Sequence, residues 1–193
     1  MNDFKGKKLE TSTHFVGGPE SINSKTVCDF WQWSFSDLMQ NTTRGILAEY
    51  IVATLLEIDD NVRNPWSAYD LELTDGRTIE IKSMALLQAW KQKQLTTPRV
   101  VLVPTRKWDP KTGKMEKEST FNADIYILCY FKAQDYNTAN PLDMNQWEFF
   151  AFTKQKIIRL LNGKKSISLK TLEKRGIQPV RAHELKDVIH SLV

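Results

Sequence analysis

The sequence predicts a single α/β domain in which a mixed β-sheet is flanked by α-helices. Its order of elements supports this fold class: an apolar helix-length segment comes first, then a hairpin and several strand-like runs, and finally helices. The chain has 193 residues, of which 41% are hydrophobic and 26% charged. That length and balance are sufficient for one well-buried core.

The segment TTRGILAEYIVATLLEI predicts a helix over residues 43–58, with Asn41 as its N-cap. Because the segment is apolar almost all round, we expect the helix to be buried. Glu49 is the only charged residue in GILAEYIVATLL. A buried carboxylate is costly unless it pairs with a base such as Arg44, reaches solvent or helps to hold a cation.

The strands and later helices follow from runs of apolar residues. SMALLQAWKQKQ is expected to continue a strand and to end as a short helix. Further strands are predicted in RVVLVP, NADIYILCYF and QWEFFAF, and helices near SLKTLEKR and AHELKDVIHSL. Residues 1–40 are expected to form an N-terminal arm and an aromatic-rich segment packed on the core. Residues 41–193 would form the main domain with a C-terminal helical extension.

Charge and composition limit the class of protein. The net charge is +4 and the pI is near 9.0, which is compatible with a polyanionic partner. Basic residues cluster in Lys5–Lys8, for example. No apolar run approaches the roughly 20 residues of a membrane span, and the stretch MNDFKGKKLETSTHF lacks the apolar run of a signal peptide. The two cysteines have no zinc-site spacing, so reduced thiols and a cytoplasmic location are expected.

The stretch YDLELTDGRTIEIKS, residues 69–83, reads as two strands joined by a turn. A two-residue turn at Asp75-Gly76 would mix apolar and charged side chains on both faces. A three-residue loop, Thr74–Gly76, instead places Leu71 opposite Ile79 on an apolar face. The apolar pattern therefore selects the longer loop, with Gly76 in the left-handed position of a bulged turn.

The same register groups charged residues on the other face of the hairpin. It sets Asp70 opposite Glu80, with Cβ atoms roughly 5 Å apart, and Tyr69 opposite Ile81. Lys82 shares the face of Glu80 because strand side chains alternate. Two carboxylates beside a lysine suit Mg²⁺, which prefers oxygen ligands and leaves room for phosphate oxygens. An exposed hairpin with solvated acids is the alternative.

These residues resemble a known superfamily. Glu49 in RGILAEYIV, Asp70 in SAYDLEL and Glu80-Ile81-Lys82 in TIEIKS resemble the motif of the PD-(D/E)XK nucleases, whose fold is the restriction-endonuclease-like one. The likeness covers about residues 43–83. It departs at Tyr69, where the motif has proline. EIKSMALLQAWKQK and the later strands look like an uncharacterised bacterial branch of this superfamily.

The resemblance implies a role for each matching residue. Asp70 and Glu80 would bind Mg²⁺, for which Mn²⁺ can substitute, and the carbonyl of Ile81 would be a further ligand. Lys82 would position or activate the attacking water. Glu49 would aid the metal or its waters.

Residues after the motif are candidates for nucleic-acid contacts. Some superfamily members place a glutamine after Glu-x-Lys, so Gln88 is expected to touch the substrate backbone or a metal-bound water, or else to be a polar residue of a short surface helix. Trp108, in a basic loop, would stack on bases or anchor the loop. The predicted basic contacts are Lys91, Lys93, Arg106 and Lys107.

The sequence thus predicts a Mg²⁺-dependent endonuclease that hydrolyses DNA phosphodiester bonds in a restriction or defence setting. Its expected partner is double-stranded DNA, and a homodimer would suit two cuts in a duplex. No membrane partner is expected. The alternatives are a non-catalytic nucleic-acid-binding or assembly protein on the same fold, and a structure-specific or RNA nuclease.

Overall fold

The computed structural model describes residues 6–109 and 112–192. Residues 1–5 of the predicted arm, including Lys5 of the first basic cluster, lie outside the described residues, as do Pro110 and Lys111 of the basic loop around Trp108. The helices are α1 Glu20–Asn23, α2 Val27–Phe35, α3 Asn41–Leu55, α4 Lys154–Leu161, α5 Leu169–Lys174 and α6 Leu185–Ser191. The strands are β1 Leu71–Glu72, β2 Thr78–Ala85, β3 Arg99–Val101, β4 Trp108–Asp109, β5 Lys114–Met115, β6 Ile125–Phe131, β7 Trp147–Thr153 and β8 Ser166–Ser168.

A four-stranded mixed sheet in the order β1-β2-β6-β7 forms the centre of the molecule. β2 pairs parallel with β6, while β1 pairs antiparallel with β2 and β7 antiparallel with β6. Every residue of β6 is buried, as expected for a strand covered on both faces. The predicted α/β fold, a mixed sheet flanked by helices in one domain, is confirmed.

Helices cover both faces of the sheet and create two apolar layers. The first layer lies between the sheet and helices α3 and α6, and includes Ile79 and Ile81 of β2. The second layer lies between the sheet and helices α4 and α5, and includes Met84. Because β2 alternates between these layers, Glu80 and Lys82 are directed to the second layer and Ser83 to the first.

Helix α3 begins two residues earlier than predicted, and it is not buried all round. Its N-cap is Gln40 rather than Asn41. It ends before Glu57, which adopts a left-handed conformation at φ 58°. One side of α3 packs on β2, whereas Tyr50 on the other side is 59% exposed.

Strand β2 continues to Ala85 as predicted, but the short helix expected after it does not form. The described residues 86–98 are irregular. The side-chain amide of Gln92 makes hydrogen bonds there in place of those of a helix. Its oxygen accepts from the N–H of Gln88, and its nitrogen donates to the carbonyl of Leu86 and to the hydroxyl of Thr96. Such side-chain bonds give the backbone an alternative to a helix.

The later elements partly follow the prediction. β6, β7, α5 and α6 occupy the predicted segments. RVVLVP forms only the three-residue β3, which pairs with β8 outside the main sheet. Helix α4 in KQKIIRLL was missed because its basic residues obscure an apolar face of three buried residues, Ile157, Leu160 and Leu161.

The N-terminal region contains α1 and α2. Helix α2 begins with a capping box formed by Thr26 and Asp29, and none of its residues is buried. Trp33 is 86% exposed. The boundary at residue 41, and the packing of the aromatic-rich segment on the core, stay predictions. No helix in the described part of the chain is long and apolar enough to cross a membrane.

Candidate active site

The hairpin between β1 and β2 supports the candidate site. Leu71 pairs with Ile79, and Gly76 has φ +86° in a loop closed by its N–H donating to the carbonyl of Leu73 at 2.9 Å. This is the predicted register, with the predicted bulged glycine. Beyond the two residues of β1, the N–H of Asp70 still donates to the carbonyl of Ile79.

Tyr69 departs from the predicted pairing. Its ring packs against the second apolar layer, whereas Ile81 belongs to the first layer, so the two do not share a face. The Tyr69 hydroxyl donates to the Glu72 carboxylate at 2.5 Å. The pairing fails because β1 begins only at Leu71, so the residues before it do not follow the alternation of a strand.

Among the carboxylates of the hairpin, Asp70 has the pKa that departs most from its ordinary value. Burial raises its pKa from 3.8 to about 7, and the charge of Glu80 contributes to this rise. The N–H of Ile81, which donates to Asp70 Oδ2 at 2.6 Å, opposes the rise by favouring the ionised form. A buried acid coupled to a second acid is typical of catalytic and metal-binding sites.

Glu80 and Lys82 form an ion pair on the second-layer face of β2. Their side chains are 23% and 37% exposed, so the pair is reachable from solvent. They line a small depression of about 90 Å³, which Thr105 and Tyr126 also border. The charge of Lys82 also lowers the pKa of Asp70, so Lys82 lies within electrostatic reach of both acids.

Glu49 forms a salt bridge with Arg63. Of the three alternatives for this carboxylate, pairing with a base therefore applies, but the base is Arg63 and not Arg44. Arg63 Nε and Nη2 donate to the Glu49 carboxylate at 2.5 and 2.8 Å. This fork raises the pKa of Arg63, and the charge of Asp70 adds to the rise. Glu49 in turn raises the pKa of Asp70. Glu49 and Arg63 therefore lie within electrostatic reach of Asp70.

Arg44 lies at the start of α3 and is 3% exposed. Its Nη1 donates to the carbonyl of Met39 and its Nη2 to Asn41 Oδ1, each at 2.7 Å. Sequence reasoning assigned no site role to Arg44 or Arg63. Neither has a local signal, because their partners depend on how the loop and helix are packed.

The groups of the site that could bind a metal are two carboxylates and one main-chain carbonyl. Across residues 6–109 and 112–192, no three His, Cys, Asp or Glu side chains are grouped so that they could hold a metal ion. Asp70 and Glu80, with the main chain of Ile81 between Glu80 and Lys82, are the oxygen donors that the hairpin brings together. This donor set fits a hard cation that completes its shell with water and phosphate oxygens.

The predicted nucleic-acid contacts fall into two places. Gln88 is only 7% exposed and its side chain donates to the carbonyl of Ala85. It borders a different cleft from that of Glu80 and Lys82. Lys91 and Lys93 are exposed in the loop that follows. Gln88 therefore lies in a cleft apart from Glu80 and Lys82, and the nucleic-acid contacts of Gln88, Lys91 and Lys93 stay predictions.

Arg106, Lys107 and Trp108 belong to a second stretch of the chain. They follow Thr105, which borders the depression at Glu80 and Lys82 and pairs with Thr120. Arg106 is exposed and Trp108 is 43% exposed. This segment, residues 105–109, is called the basic arm below.

Comparison with known families decides the class of protein. The family model described as bacteriophage T4 endonuclease IV matches residues 26–171, which contain the whole candidate site. The chain belongs to this endonuclease family. No curated protein matches the chain significantly. Membership in the family makes this chain an endonuclease, so its substrate is a nucleic acid.

Proposed function

We propose that this endonuclease is a Mg²⁺-dependent phosphodiesterase of the PD-(D/E)XK type that cuts DNA. The observation that carries the proposal is the geometry of the hairpin in a chain of an endonuclease family: Asp70 accepts the backbone N–H of Ile81, and the flanking Glu80 and Lys82 form an ion pair. The mixed sheet flanked by helices is compatible with the restriction-endonuclease-like fold.

Asp70, Glu80 and the carbonyl of Ile81 would hold the cation. The coupling of the two carboxylates supports this role, because two partly buried acids that repel each other are stabilised by a cation between them. When bound, Mg²⁺ supplies Lewis-acid stabilisation of phosphate charge and lowers the pKa of water; Mn²⁺, with similar oxygen preference, would substitute.

Lys82 would act on the substrate side of the site. Its ammonium carries three donors on a flexible stem, which suits it to orient a water molecule and to donate to a phosphate oxygen. Glu80 holds it in position through their ion pair. A donor placed before reaction at the charge that develops on phosphate stabilises the transition state.

Glu49 would support the site through its charge. The fork from Arg63 orients the Glu49 carboxylate, and the pair lies within electrostatic reach of Asp70. Glu49 would thus aid the cation or its waters without being an essential ligand.

Double-stranded DNA is the proposed substrate, and a restriction or defence setting the proposed context. The basic arm with Arg106, Lys107 and Trp108 would bind the backbone beside the scissile phosphate. Lys91 and Lys93 would contact phosphates further along the strand. Cutting both strands of a duplex would call for a homodimer.

A second candidate is a nuclease specific for single-stranded or structured nucleic acid, including RNA. The observation that favours it is the exposure of Trp90 at 58% and of Trp108 at 43%. Exposed aromatic rings beside basic residues stack on unpaired bases.

The test is cleavage of plasmid DNA, single-stranded DNA and RNA with Mg²⁺ or with EDTA. We expect Mg²⁺-dependent cleavage of DNA that is lost in Asp70→Asn, Glu80→Gln and Lys82→Met. Glu72→Gln is the matched control, because Glu72 is an exposed acid of the same hairpin. Cleavage that persists in EDTA, or in all three variants, would exclude the proposed site, and preference for RNA or single strands would favour the second candidate.

A further inference from the structure

A second cleft, of about 550 Å³, lies where the start of α3 meets the end of β2 and the loop before β3. It shares no lining residue with the depression at Glu80 and Lys82. Its volume is in the range of pockets that hold small ligands. Its polar lining consists of Asn41, Arg44, Ser83, Gln88, Thr96, Thr97 and Arg99.

The charge of this cleft is entirely positive. Arg44 and Arg99 are the charged residues of its described lining, and none of the lining residues is acidic. The remaining polar groups are hydroxyls and amides, all of which can donate hydrogen bonds. Such a lining is complementary to an anion with several oxygens.

Arg44 is the strongest indication of an absent partner. Its side chain is fixed by Met39 and Asn41, yet its buried Nε has no hydrogen-bond partner among the described residues. No carboxylate of the described chain forms a salt bridge with it. A buried charge without a counter-charge costs stability, and an anion in the cleft would supply that charge.

Ser83 gives a second, independent indication. Its Oγ is buried and also lacks a partner in the described structure. Buried polar groups are nearly always satisfied in native proteins, so two orphaned donors in the lining of one cleft indicate a ligand. Ser83 follows Lys82 directly in β2 and lies three residues after Glu80. Along a strand this separates Ser83 from Glu80 by roughly 10 Å.

We infer that this cleft binds a phosphate group, with Arg44 and Ser83 as its donors and Arg99 adding charge at the entrance. The group would come from the nucleic-acid substrate, beyond the phosphate that is cut, or from a free nucleotide. The first source rests on the proposed function, since it needs a strand that crosses both sites. The second does not.

The test measures phosphate binding in EDTA, where cleavage plays no part. Thermal unfolding and calorimetric titration would use inorganic phosphate, a nucleoside 5′-monophosphate, and a short DNA oligonucleotide with or without a terminal phosphate. Chloride at equal ionic strength is the reference for the thermal shift. We expect phosphate to raise the Tm of the wild-type chain by several degrees.

Arg44→Met is expected to abolish this rise without lowering the Tm in chloride, because it removes an unpaired buried charge. Arg175→Met is the matched control, since it removes an exposed arginine elsewhere. Ser83→Ala should weaken phosphate binding roughly tenfold. If Arg44→Met does not fold, Ser83→Ala and Arg99→Met carry the test.

The outcomes separate this inference from the proposed function. A response to phosphate that is the same in Arg44→Met and Ser83→Ala as in the wild type, or absent with every probe, would overturn the phosphate site. A response to the mononucleotide would identify a free nucleotide, and one confined to the oligonucleotide would identify the substrate strand. Arg44-dependent binding in a chain that never cleaves nucleic acid would refute only the proposed function.

Discussion

The carboxylate of Asp70 accepts a hydrogen bond of 2.6 Å from the backbone N–H of Ile81. Ile81 lies in β2 between Glu80 and Lys82, the predicted acid and base of the site. This bond connects the start of the hairpin to the Glu80-Ile81-Lys82 segment across eleven residues of chain. It holds Asp70 beside Glu80, although burial and the charge of Glu80 disfavour its ionised form. The predictions below begin from this pair.

Asp70→Asn should stabilise the metal-free protein at high pH. The folded-state pKa of about 7 lies above the ordinary 3.8, so the stabilisation from protonated Asp70 is complete below 3.8 and is lost as the pH rises through 7. The difference corresponds to at most on the order of 4 kcal/mol. In EDTA at pH 8 we expect thermal unfolding to give a Tm several degrees higher for the variant than for the wild type, and at pH 5 a clearly smaller difference.

Asp75→Asn is the control for that experiment. Asp75 lies in the same hairpin but its bonds to Arg77 lower its pKa, so its replacement should not stabilise the protein at pH 8. Added Mg²⁺ should raise the Tm of the wild type and not that of Asp70→Asn. Equal Tm values for wild type and Asp70→Asn across this pH range would contradict the raised pKa.

Lys82→Met should lower the rate of Mg²⁺-dependent cleavage roughly 100-fold or more, because it removes a donor to the developing phosphate charge. Substrate affinity in EDTA should change little. Lys132→Met is the matched control: Lys132 pairs with Glu148 at 2.9 Å and is about as exposed as Lys82. Single-turnover cleavage measures the rate, and equal losses in both variants would indicate a structural effect.

Glu49 and Arg63 should show a measurable coupling in a double-mutant cycle. The pair is bidentate, but the Arg63 side chain is 41% exposed, so solvent screening limits the coupling to about 1 kcal/mol. Glu49→Gln, Arg63→Gln and the double variant would be compared by urea unfolding. The Lys186–Glu57 pair, whose Glu57 side chain is 75% exposed, should give a smaller value. A coupling at Glu49 no larger than this would refute the prediction.

Arg106→Gln and Lys107→Gln should each weaken nucleic-acid binding and reduce the slope of log K against log[salt] by about 1. Both residues lie in the basic arm, whose Thr105 borders the depression at Glu80 and Lys82. Fluorescence anisotropy at several salt concentrations, in EDTA, measures the slope. Lys186→Gln on α6 is the control, because α6 covers the other face of the sheet. An unchanged slope in both arm variants would remove the arm from the binding surface.

Local pattern was enough for the register of the hairpin. The alternation of Leu71, Ile79 and Ile81 with charged residues admits only a three-residue loop, and Gly76 is the residue that tolerates the left-handed position this loop requires. The long apolar runs of β6 and β7 likewise predicted these two strands. These features depend on neighbours in the chain, which is why sequence alone predicted the mixed α/β fold.

The partners of isolated charges were a matter of tertiary structure. Glu49 was recognisable as the lone acid of an apolar helix segment, but its pairing with Arg63 rather than Arg44 follows from the path of the loop after α3. Gln88 follows the motif closely in sequence, yet the turn after β2 carries it into the other cleft. Arg44 is left with an unpaired Nε by the same packing. Alternation along a strand is set by adjacent residues, whereas the surroundings of a single charge are set by elements that meet only after folding.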